Sequence, residues 1–274
     1  MSLSKQYTKE VKDRFNYSAV WLPNVVVEPG DVGKIANYQF EHLTNLGKLG
    51  IDFETSLLSP ELDNFEFLSE GSISVNTKLS GDLPVAGSCF SVADGGLSIK
   101  FLRERATVFR LTNCASQGIV DVYSLGKQIL QLYDKKQWTK DMVVVTEVVK
   151  ASSATILISN SANAELDLLA KGQVGPKGFS LADIDSNFEV VRNHGLATEI
   201  IAQKGLTPLF KTFGLKKPLF KPVTTDYDEF VTGIGTVGYG NARYEKPVRI
   251  PANQIRFENV DYSDFDESDP ASIC

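Results

Sequence analysis

The sequence has few of the residues from which metal sites, disulfide frameworks and common catalytic sites are built. It contains 3 cysteines and 2 histidines among 274 residues. Cys89, Cys114 and Cys274 show no C-x-x-C spacing, and their odd number does not suit a disulfide framework. Structural zinc and disulfide stapling are therefore disfavoured, and a reducing compartment, by default the cytoplasm, is expected.

Long hydrophobic runs are also missing from the sequence. No stretch approaches the roughly 18 apolar residues of a membrane-spanning helix. The N-terminal segment MSLSKQYTKEVKDRF is charged and has no apolar core of the kind found in signal peptides. With 42% hydrophobic and 23% charged residues, the composition is that of an ordinary globular protein. The chain is long enough for one large domain or two small ones.

The remaining candidates for chemistry are isolated from one another. The segment Gly233–Gly238, GIGTVG, matches a dinucleotide-binding fingerprint, but no strand and helix of useful length flank it. His42 and His194 lack metal-ligand spacing, and Asp183 and Asp185 suit a turn better than a pair of catalytic carboxylates. The sequence therefore predicts a protein without catalytic residues, metal or cofactor. An enzyme that binds nucleotide phosphate at the glycine-rich loop remains an alternative.

Three segments have helical periodicity. Tyr7, Val11 and Phe15 recur every four residues, and FEHLTNLGKLGI stacks three leucines before Gly50. The segment GIVDVYSLGKQILQLYDKKQW carries a longer apolar stripe, formed by Val122, Leu125, Ile129, Leu132 and Tyr133. Each of the three is predicted to be a short helix.

Strand patterns occupy most of the rest. The run VVVTEVVKASSATILIS predicts a strand, a Ser/Ala turn and a second strand, with Glu147 facing water from a sheet with one exposed face. Further strands are predicted for WLPNVVVEPGDVG before an Asp31–Gly33 turn, for GSISVNTKLS, for GLSIKFLRERATVFRL as one long strand or a strand with a bulge, and on both sides of the turn in SNFEVVRNHGLATEIIAQ. The predicted fold is a single α+β domain, with a twisted, mainly antiparallel sheet flanked by short helices.

The negative charge is concentrated at the C-terminal end. Residues 257–274 hold six acidic side chains and no basic one, and the whole chain has a net charge of −6, so residues 1–256 are neutral overall. A solvated tail is one interpretation. A latch over a basic surface is the other, favoured by four apolar side chains in the tail, Phe257, Val260, Tyr262 and Phe265. We divide the chain into an α+β domain, residues 1–240, and an acidic segment, residues 241–274, as a candidate autoinhibitory tail.

The basic surface is predicted in the segment AQKGLTPLFKTFGLKKPLFKP, residues 202–222. Its lysines alternate with Leu and Phe, a pattern that suits anionic lipid headgroups, with about 1 kcal/mol gained per lysine near such a membrane. Three prolines exclude one long helix, so a loop or short strand is expected. An ordinary lysine-fringed hairpin that packs its Phe side chains inward is the alternative. The predicted membrane-binding residues are Lys204, Lys211, Lys216, Lys217 and Lys221.

The segment around VVTEV resembles the pore-forming domain of the gasdermin family. In that domain a helix leads into a strand of this form, and β-hairpins, a Gly/Ser/Leu-rich connection and a hydrophobic strand follow. Here Val144–Val148 carry the pattern, and GSISVNTKLSGDLPVAG and LATEII add to it. The resemblance covers about residues 70–205.

The resemblance implies a latent pore former that inserts β-hairpins into membranes, oligomerises and causes cell death once a protease removes an inhibitory C-terminal segment. The layout is that of the short microbial forms, although their lipidated N-terminal cysteine is missing here. The expected partners are an anionic membrane, an activating protease and further copies of the chain, but not nucleic acid. The candidate cleavage sites are Arg243, Arg249 and Arg256. The alternative is a non-enzymatic binding or scaffold protein that uses the basic segment and the acidic tail as partner sites.

Overall fold

The computed structural model describes residues 2–59, 63–77, 96–170, 188–216 and 255–265. Within these residues lie two α-helices, α1 (Leu3–Phe15) and α2 (Val122–Asp134). The side chain of Ser2 accepts a hydrogen bond from the Lys5 amide, and the Asp121 side chain accepts one from the Ser124 amide, so each helix begins at an N-cap. Both helices were predicted from periodicity, and both are confirmed.

Fourteen strands account for most of the described chain. They form two antiparallel sheets, and two short 3-10 helices, Gly47–Leu49 and Tyr262–Phe265, accompany them. The strands are β1 (Ser18–Ala19), β2 (Asp31–Ala36), β3 (Gln39–Asn45), β4 (Thr55–Leu57), β5 (Asp63–Leu68), β6 (Ile73–Thr77), β7 (Gly96–Phe101), β8 (Thr107–Ile119), β9 (Met142–Ser159), β10 (Glu165–Ala170), β11 (Phe188–His194), β12 (Leu196–Gln203), β13 (Leu206–Lys216) and β14 (Arg256–Val260). The predicted α+β class with a mainly antiparallel sheet is confirmed.

The large sheet is built around the long strand β9. One edge of β9 pairs with β2 and then β8, and the other edge pairs with β13 and then β12. The strands β1, β3, β4, β5 and β14 complete this sheet. The small sheet has the order β11-β10-β7-β6.

The strand β9 runs without interruption through the Ser/Ala segment in which a turn was predicted, so that prediction is wrong. Ala151 pairs with Cys114 on one side and Leu206 on the other, and Ala154 pairs with Leu111 and Gln203. Because both edges of this segment are hydrogen-bonded to neighbouring strands, its backbone gains more from the ladder than from a local turn.

The predicted helix FEHLTNLGKLGI is instead the strand β3 followed by a 3-10 turn. β3 pairs with β2 across a two-residue turn, in which Asn37 has φ 51° and Tyr38 has φ 61°, as a type I′ hairpin turn requires. Leu43, on the predicted apolar stripe, is 52% exposed. The predicted Asp31–Gly33 turn is also wrong, because these residues begin β2 and pair with β3 and β9.

The segment before β2 was predicted to be a strand but follows an irregular path. Its backbone is satisfied by tertiary hydrogen bonds. The Val27 amide donates to Thr207 Oγ1 at 2.8 Å, and the Gly30 amide donates to the Val145 carbonyl at 2.8 Å. Gly30 has φ +94°, a conformation that favours glycine.

Two long hairpins cross from one sheet to the other. β5 pairs with β8 in the large sheet, and their continuations β6 and β7 pair in the small sheet. In the same way β9 pairs with β12, and their continuations β10 and β11 pair in the small sheet. The predicted single strand GLSIKFLRERATVFRL is thus two strands, β7 and β8, separated by a corner at residues 102–106. The predicted pair of strands around the turn at Gly195 is confirmed.

The core lies on both faces of the large sheet. Val143 and Val145 of β9 face a cluster that includes Phe210 and Val260, and Val144 faces the cluster under α2. Helix α1 packs on the half of the sheet formed by β8 and β9, and the small sheet packs on Val108 and Leu157.

Candidate functional site

The acidic tail is docked against the body over residues 255–265. β14 pairs antiparallel with β13, from Thr212 opposite Val260 to Lys216 opposite Arg256. Of the two interpretations of the tail, the latch that packs on the body therefore describes residues 257–265. The domain boundary at residue 240, and the acids Asp266, Glu267 and Asp269, lie outside the described residues.

Tyr262 is the largest buried side chain of the docked tail. Its hydroxyl donates to the Ala19 carbonyl at 2.5 Å, and only 5% of the residue is exposed. Its ring lies 5.9 Å from the ring of Tyr38 and 6.2 Å from that of Phe210. Burial raises the pKa of Tyr262 well above its ordinary value. The tail thus inserts a neutral phenol into the core and keeps it hydrogen-bonded.

Phe257 is seated against helix α2. Its ring centroid lies 5.3 Å from that of Phe213. A Cβ atom at Gly126, in the middle of α2, would lie only 2.8 Å from the Phe257 ring. A glycine inside a helix costs about 1 kcal/mol relative to alanine. Here its missing side chain provides the space that the tail occupies.

Two ion pairs add charge complementarity to the docked tail. Lys216 Nζ lies 2.7 Å from Asp264, and Lys12 Nζ of helix α1 lies 2.9 Å from Asp261. A surface pair of this kind contributes about 0–1 kcal/mol. The hydrogen-bonded strand and the buried aromatic side chains therefore hold the tail more strongly than its charges do.

The predicted membrane-binding lysines are found in different surroundings. Lys204 is exposed, Lys211 contacts Glu147, and Lys216 contacts Asp264. Lys217 and Lys221 lie outside the described residues. Membrane binding by these side chains stays a prediction. Of the expected loop or short strand, residues 206–216 form a strand, the 11-residue β13.

The strand β13 accommodates a proline because its pairing with β9 is irregular at that point. The register shifts between Leu206 and Leu209, and Pro208 lies inside the shift. Leu209 and Phe210 are fully buried. The inward-facing Phe of the alternative interpretation is found at Phe210, in a strand that pairs with β1, β9 and β14.

Glu147 lies in a partly buried polar cluster. The Tyr17 hydroxyl donates to Glu147, and Lys211 Nζ lies 2.8 Å from the carboxylate and 4.4 Å from the centroid of the Tyr17 ring. The Glu147 side chain is 14% exposed, so the prediction that it faces water is wrong. A register shift next to Thr146, where Lys211 opposes Glu147 and Thr212 opposes Val145, adds one residue to β9 and redirects the side chain.

The electrostatics of this cluster are those of a structural ion pair. Burial raises the pKa of Tyr17, and its hydrogen bond to Glu147 raises it further. Burial alone would lower the pKa of Lys211, but the hydrogen bond and charge of Glu147 outweigh it and raise the pKa overall. Both shifts favour a protonated Tyr17 and a charged Lys211 at neutral pH, and neither side chain becomes a better base or nucleophile.

The other candidates from the sequence remain apart from one another. His42 makes a 3.4 Å contact with Asp31 on the surface, and His194 is exposed. Among the described residues no group of acids, histidines or cysteines is arranged to hold a metal ion. The glycine-rich loop, the pair Asp183 and Asp185, Cys89, Cys274, Arg243 and Arg249 lie outside the described residues. Arg256 is exposed and begins β14.

The small sheet has one apolar face and one polar face. Ile99, Phe101, Leu166 and Leu168 pack inward against the large sheet. On the outer face Lys100 Nζ lies 3.4 Å from Glu165, and Ser98 donates to the same carboxylate at 3.3 Å. In the part of the chain that the structure describes, no helix is both long and apolar enough to cross a membrane.

The corner of the first hairpin is held by Arg103. Its Nε donates to Ser72 Oγ at 2.7 Å, and its Nη2 donates to the Glu70 carbonyl at 2.6 Å. The Arg103 carbonyl accepts a hydrogen bond of 2.9 Å from Ser159 of β9. At the corner of the second hairpin, Gly195 has φ +73°, and a Cβ atom there would lie 2.5 Å from Ser161 Oγ. The first corner is therefore held by side-chain hydrogen bonds, and the second by close packing at a glycine.

Sequence reasoning missed Tyr17, Gly126 and Arg103 as members of these contacts. Gly126 carried a usable signal, because a glycine inside a strongly periodic helix often marks a close approach by another element. Tyr17 and Arg103 carried none, since their partners are far away in the chain.

No family model matches the chain, and no curated protein matches it. A cryo-EM structure of the gasdermin A3 membrane pore is similar to it, with a TM-score of 0.34 and 11% sequence identity. The aligned region covers 84% of this chain and 98% of that one. A TM-score this low does not by itself assign a function.

Proposed function

We propose that this protein is a latent pore former, held inactive by its C-terminal segment and released by proteolysis to oligomerise in membranes and cause cell death. The observation that supports it best is the pair of bent hairpins. Each contributes two strands to the small sheet, and each is joined to the large sheet through a corner stabilised by side-chain contacts or a glycine.

The hairpins have the length that a membrane requires. The first runs from Ile73 to Phe101 and the second from Glu165 to His194, which is 29 and 30 residues. A membrane-spanning β-strand needs about 9–11 residues, so each segment is long enough for two such strands and a turn. Backbone groups in lipid must be paired, and the two outer edges of a hairpin would find partners only in neighbouring hairpins. Oligomerisation follows from this requirement.

The first hairpin would straighten with little change of register. In the large sheet Leu68 is opposite Val108, and in the small sheet Ile73 is opposite Phe101. The two ladders are offset by two residues, because four residues on one strand face six on the other. Straightening the corner would join them into one ladder with a local bulge. We infer that the bent form is the closed state and the straight form the membrane state.

The docked tail suits the role of an inhibitor. It engages Lys216 and Lys12, and its departure would release both cations toward an anionic membrane. A switch requires contacts that one state makes and the other lacks, and the strand β14 and Tyr262 are contacts of this kind. The chain would be cytoplasmic when latent and membrane-bound when active, without catalysis, cofactor or nucleic acid.

Cleavage upstream of β14 fits the proposal better than cleavage at Arg256. Arg256 is paired with Lys216 in the sheet, and proteases prefer backbone that is free of such pairing. We therefore propose Arg243 or Arg249 as the site, with Arg256 accessible only after β14 has left β13.

The test is dye release from vesicles that contain anionic lipid. Full-length protein is expected to leave the vesicles sealed, and the chain ending at Arg249 is expected to release the dye. The lysine replacements Lys204→Gln and Lys216→Gln should weaken binding of the truncated chain to anionic vesicles. Neutral vesicles are the control for charge. Sealed anionic vesicles with a folded truncated chain would overturn the proposal.

A binding or scaffold role is the second candidate, and one surface favours it. Leu22, Val25 and Val26 lie close together in the chain and are 47%, 49% and 53% exposed. Exposed apolar residues that lie together are typical of partner-binding surfaces. If truncated protein leaves vesicles sealed, this role replaces the pore function.

A further inference from the structure

We propose that helix α1 couples the tail to the corner of the first hairpin, so that release of the tail loosens that corner. The purpose of the coupling rests on the proposed pore function, but the contacts that carry it are present in the closed form. Helix α1 touches both elements with different side chains, and no direct contact between tail and corner is needed.

The tail side of the coupling is formed by Lys12. Its Nζ lies 2.9 Å from Asp261, and both side chains are less than one-third exposed. Loss of the tail would therefore remove a charge partner from α1.

The corner side is formed by Glu10, Arg14 and Phe15. The Ser69 hydroxyl donates to Glu10 Oε2 at 3.0 Å, and Arg14 lies 3.1 Å from Glu70. Phe15 packs against β5 and β8, with its ring centroid 5.2 Å from that of Phe65.

Ser69 links this side of the helix to the backbone of the corner. Its hydroxyl accepts a hydrogen bond of 2.9 Å from the Thr107 amide, and its own amide donates to the Thr107 carbonyl at 3.0 Å. The next residue, Glu70, supplies the carbonyl that Arg103 binds. Glu10 thus acts on the hydrogen bonds that close the corner, as a positioning residue.

Helix α1 is closed at both ends. It is capped at the N-terminus by Ser2 and closed at the C-terminus by Asn16 in the left-handed conformation. Glu10 and Lys12 are two residues apart, so they project about 200° apart around the helix axis. One side contacts the corner and the other contacts the tail, which is the geometry that a rigid connecting element needs.

Hydrogen exchange in the full-length protein tests the coupling. Lys12→Gln and Asp261→Asn break the same ion pair from opposite sides, and both should raise exchange at the amides of Ser69, Leu102 and Thr107. Loss of a partly exposed ion pair corresponds to roughly a 1.5- to 5-fold increase in the rate of hydrogen exchange. Since coupling is reciprocal, Glu10→Ala should raise exchange in residues 257–265 by a similar factor.

The double variant Glu10→Ala with Asp261→Asn separates coupling from general loosening. If α1 carries the effect, adding Asp261→Asn to Glu10→Ala produces no further increase at the corner. Lys34→Gln, which breaks an exposed ion pair of 2.6 Å with Asp141 away from α1, is the matched control and should leave the corner unchanged.

Two outcomes would overturn the coupling. One is corner exchange in Asp261→Asn equal to that of the parent protein. The other is that Asp261→Asn raises exchange at the corner by the same factor in the parent protein and in the Glu10→Ala variant. Dye release is measured in parallel on the truncated chain. Sealed vesicles with intact coupling would refute the pore function alone, and leakage without coupling would refute the role of α1 alone.

Discussion

The large sheet and the small sheet bury their strands in different ways. In the large sheet three consecutive residues of β9, Val143, Val144 and Val145, are fully buried, so both faces of the strand are covered. In the small sheet Ile99 is fully buried and its neighbour Lys100 is exposed, while Ser98 and Asp167 on the same face as Lys100 are buried, so this polar face is only partly covered. The difference indicates that the small sheet depends on the large one, whereas the large sheet has a core of its own.

The same contrast holds for the edges. β9 is paired along both edges by four other strands, while β6 and β11, at the ends of the small sheet, each pair with one strand among the described residues. Elements with fewer buried contacts and freer edges open at lower free energy than core strands. We therefore expect the small sheet to open before the large one does. Four measurements compare the two sheets.

The largest effect is expected at the centre of the large sheet. Val145→Asp places an unpaired carboxylate in the core and should lower the free energy of unfolding by about 4 kcal/mol or more. Urea denaturation measures it, and Val145→Ala, which removes only two methyl groups, is the control. An unchanged midpoint for the aspartate variant would show that β9 is not the centre of the core.

Ile99→Ala in the small sheet should cost about 2–4 kcal/mol at the site. Because the small sheet packs against the large one, we expect this loss of stability to appear as faster hydrogen exchange in β6, β7, β10 and β11, while β9 stays protected. Lys100→Gln on the outer face is the control. Faster exchange in both sheets would show that they unfold as one unit.

The third prediction concerns the edge of the large sheet, where Tyr262 docks. Its folded-state pKa is raised above the ordinary value of 10.0, so the stability due to its neutral form is complete below pH 10 and is lost as pH rises above it. Tyr262→Phe should make the decline in unfolding free energy smaller by about 1 kcal/mol between pH 10 and 11, and by about 1.4 kcal/mol per pH unit above that range. Chemical denaturation at several pH values measures this. Equal slopes for both proteins would show that Tyr262 is exposed to water in the folded protein.

The smallest effects are expected for one surface ion pair on each sheet. Lys34 pairs with Asp141 on the large sheet and Lys100 pairs with Glu165 on the small sheet. Replacing either lysine by Gln should cost about 0–1 kcal/mol, less at high salt. Chemical denaturation at low and high salt compares them. A loss above 2 kcal/mol at Lys100 would mean that the polar face, and not the apolar one, holds the small sheet.

Local patterns predicted two of the three helices correctly and did not reveal how the strands pair. Tyr7 and Val11 in α1, and Leu125 and Ile129 in α2, face the core as their spacing indicates. The leucines around Leu43 have the same spacing, yet they lie in a strand and a 3-10 turn, because pairing with β2 outweighs a weak helical preference. Periodicity over a short segment does not reveal which partner the backbone will find.

The α+β class, the two helices, the strand character of β9 and the apolar residues that dock the tail could be predicted from the chain alone. These follow from local periodicity and from charge counted along the chain. Tertiary contacts were needed to establish that β9 runs unbroken, that Glu147 is paired with Lys211, and that each long hairpin bends between two sheets. Such features depend on hydrogen bonds and ion pairs between residues far apart in the chain, and local patterns do not specify these partners.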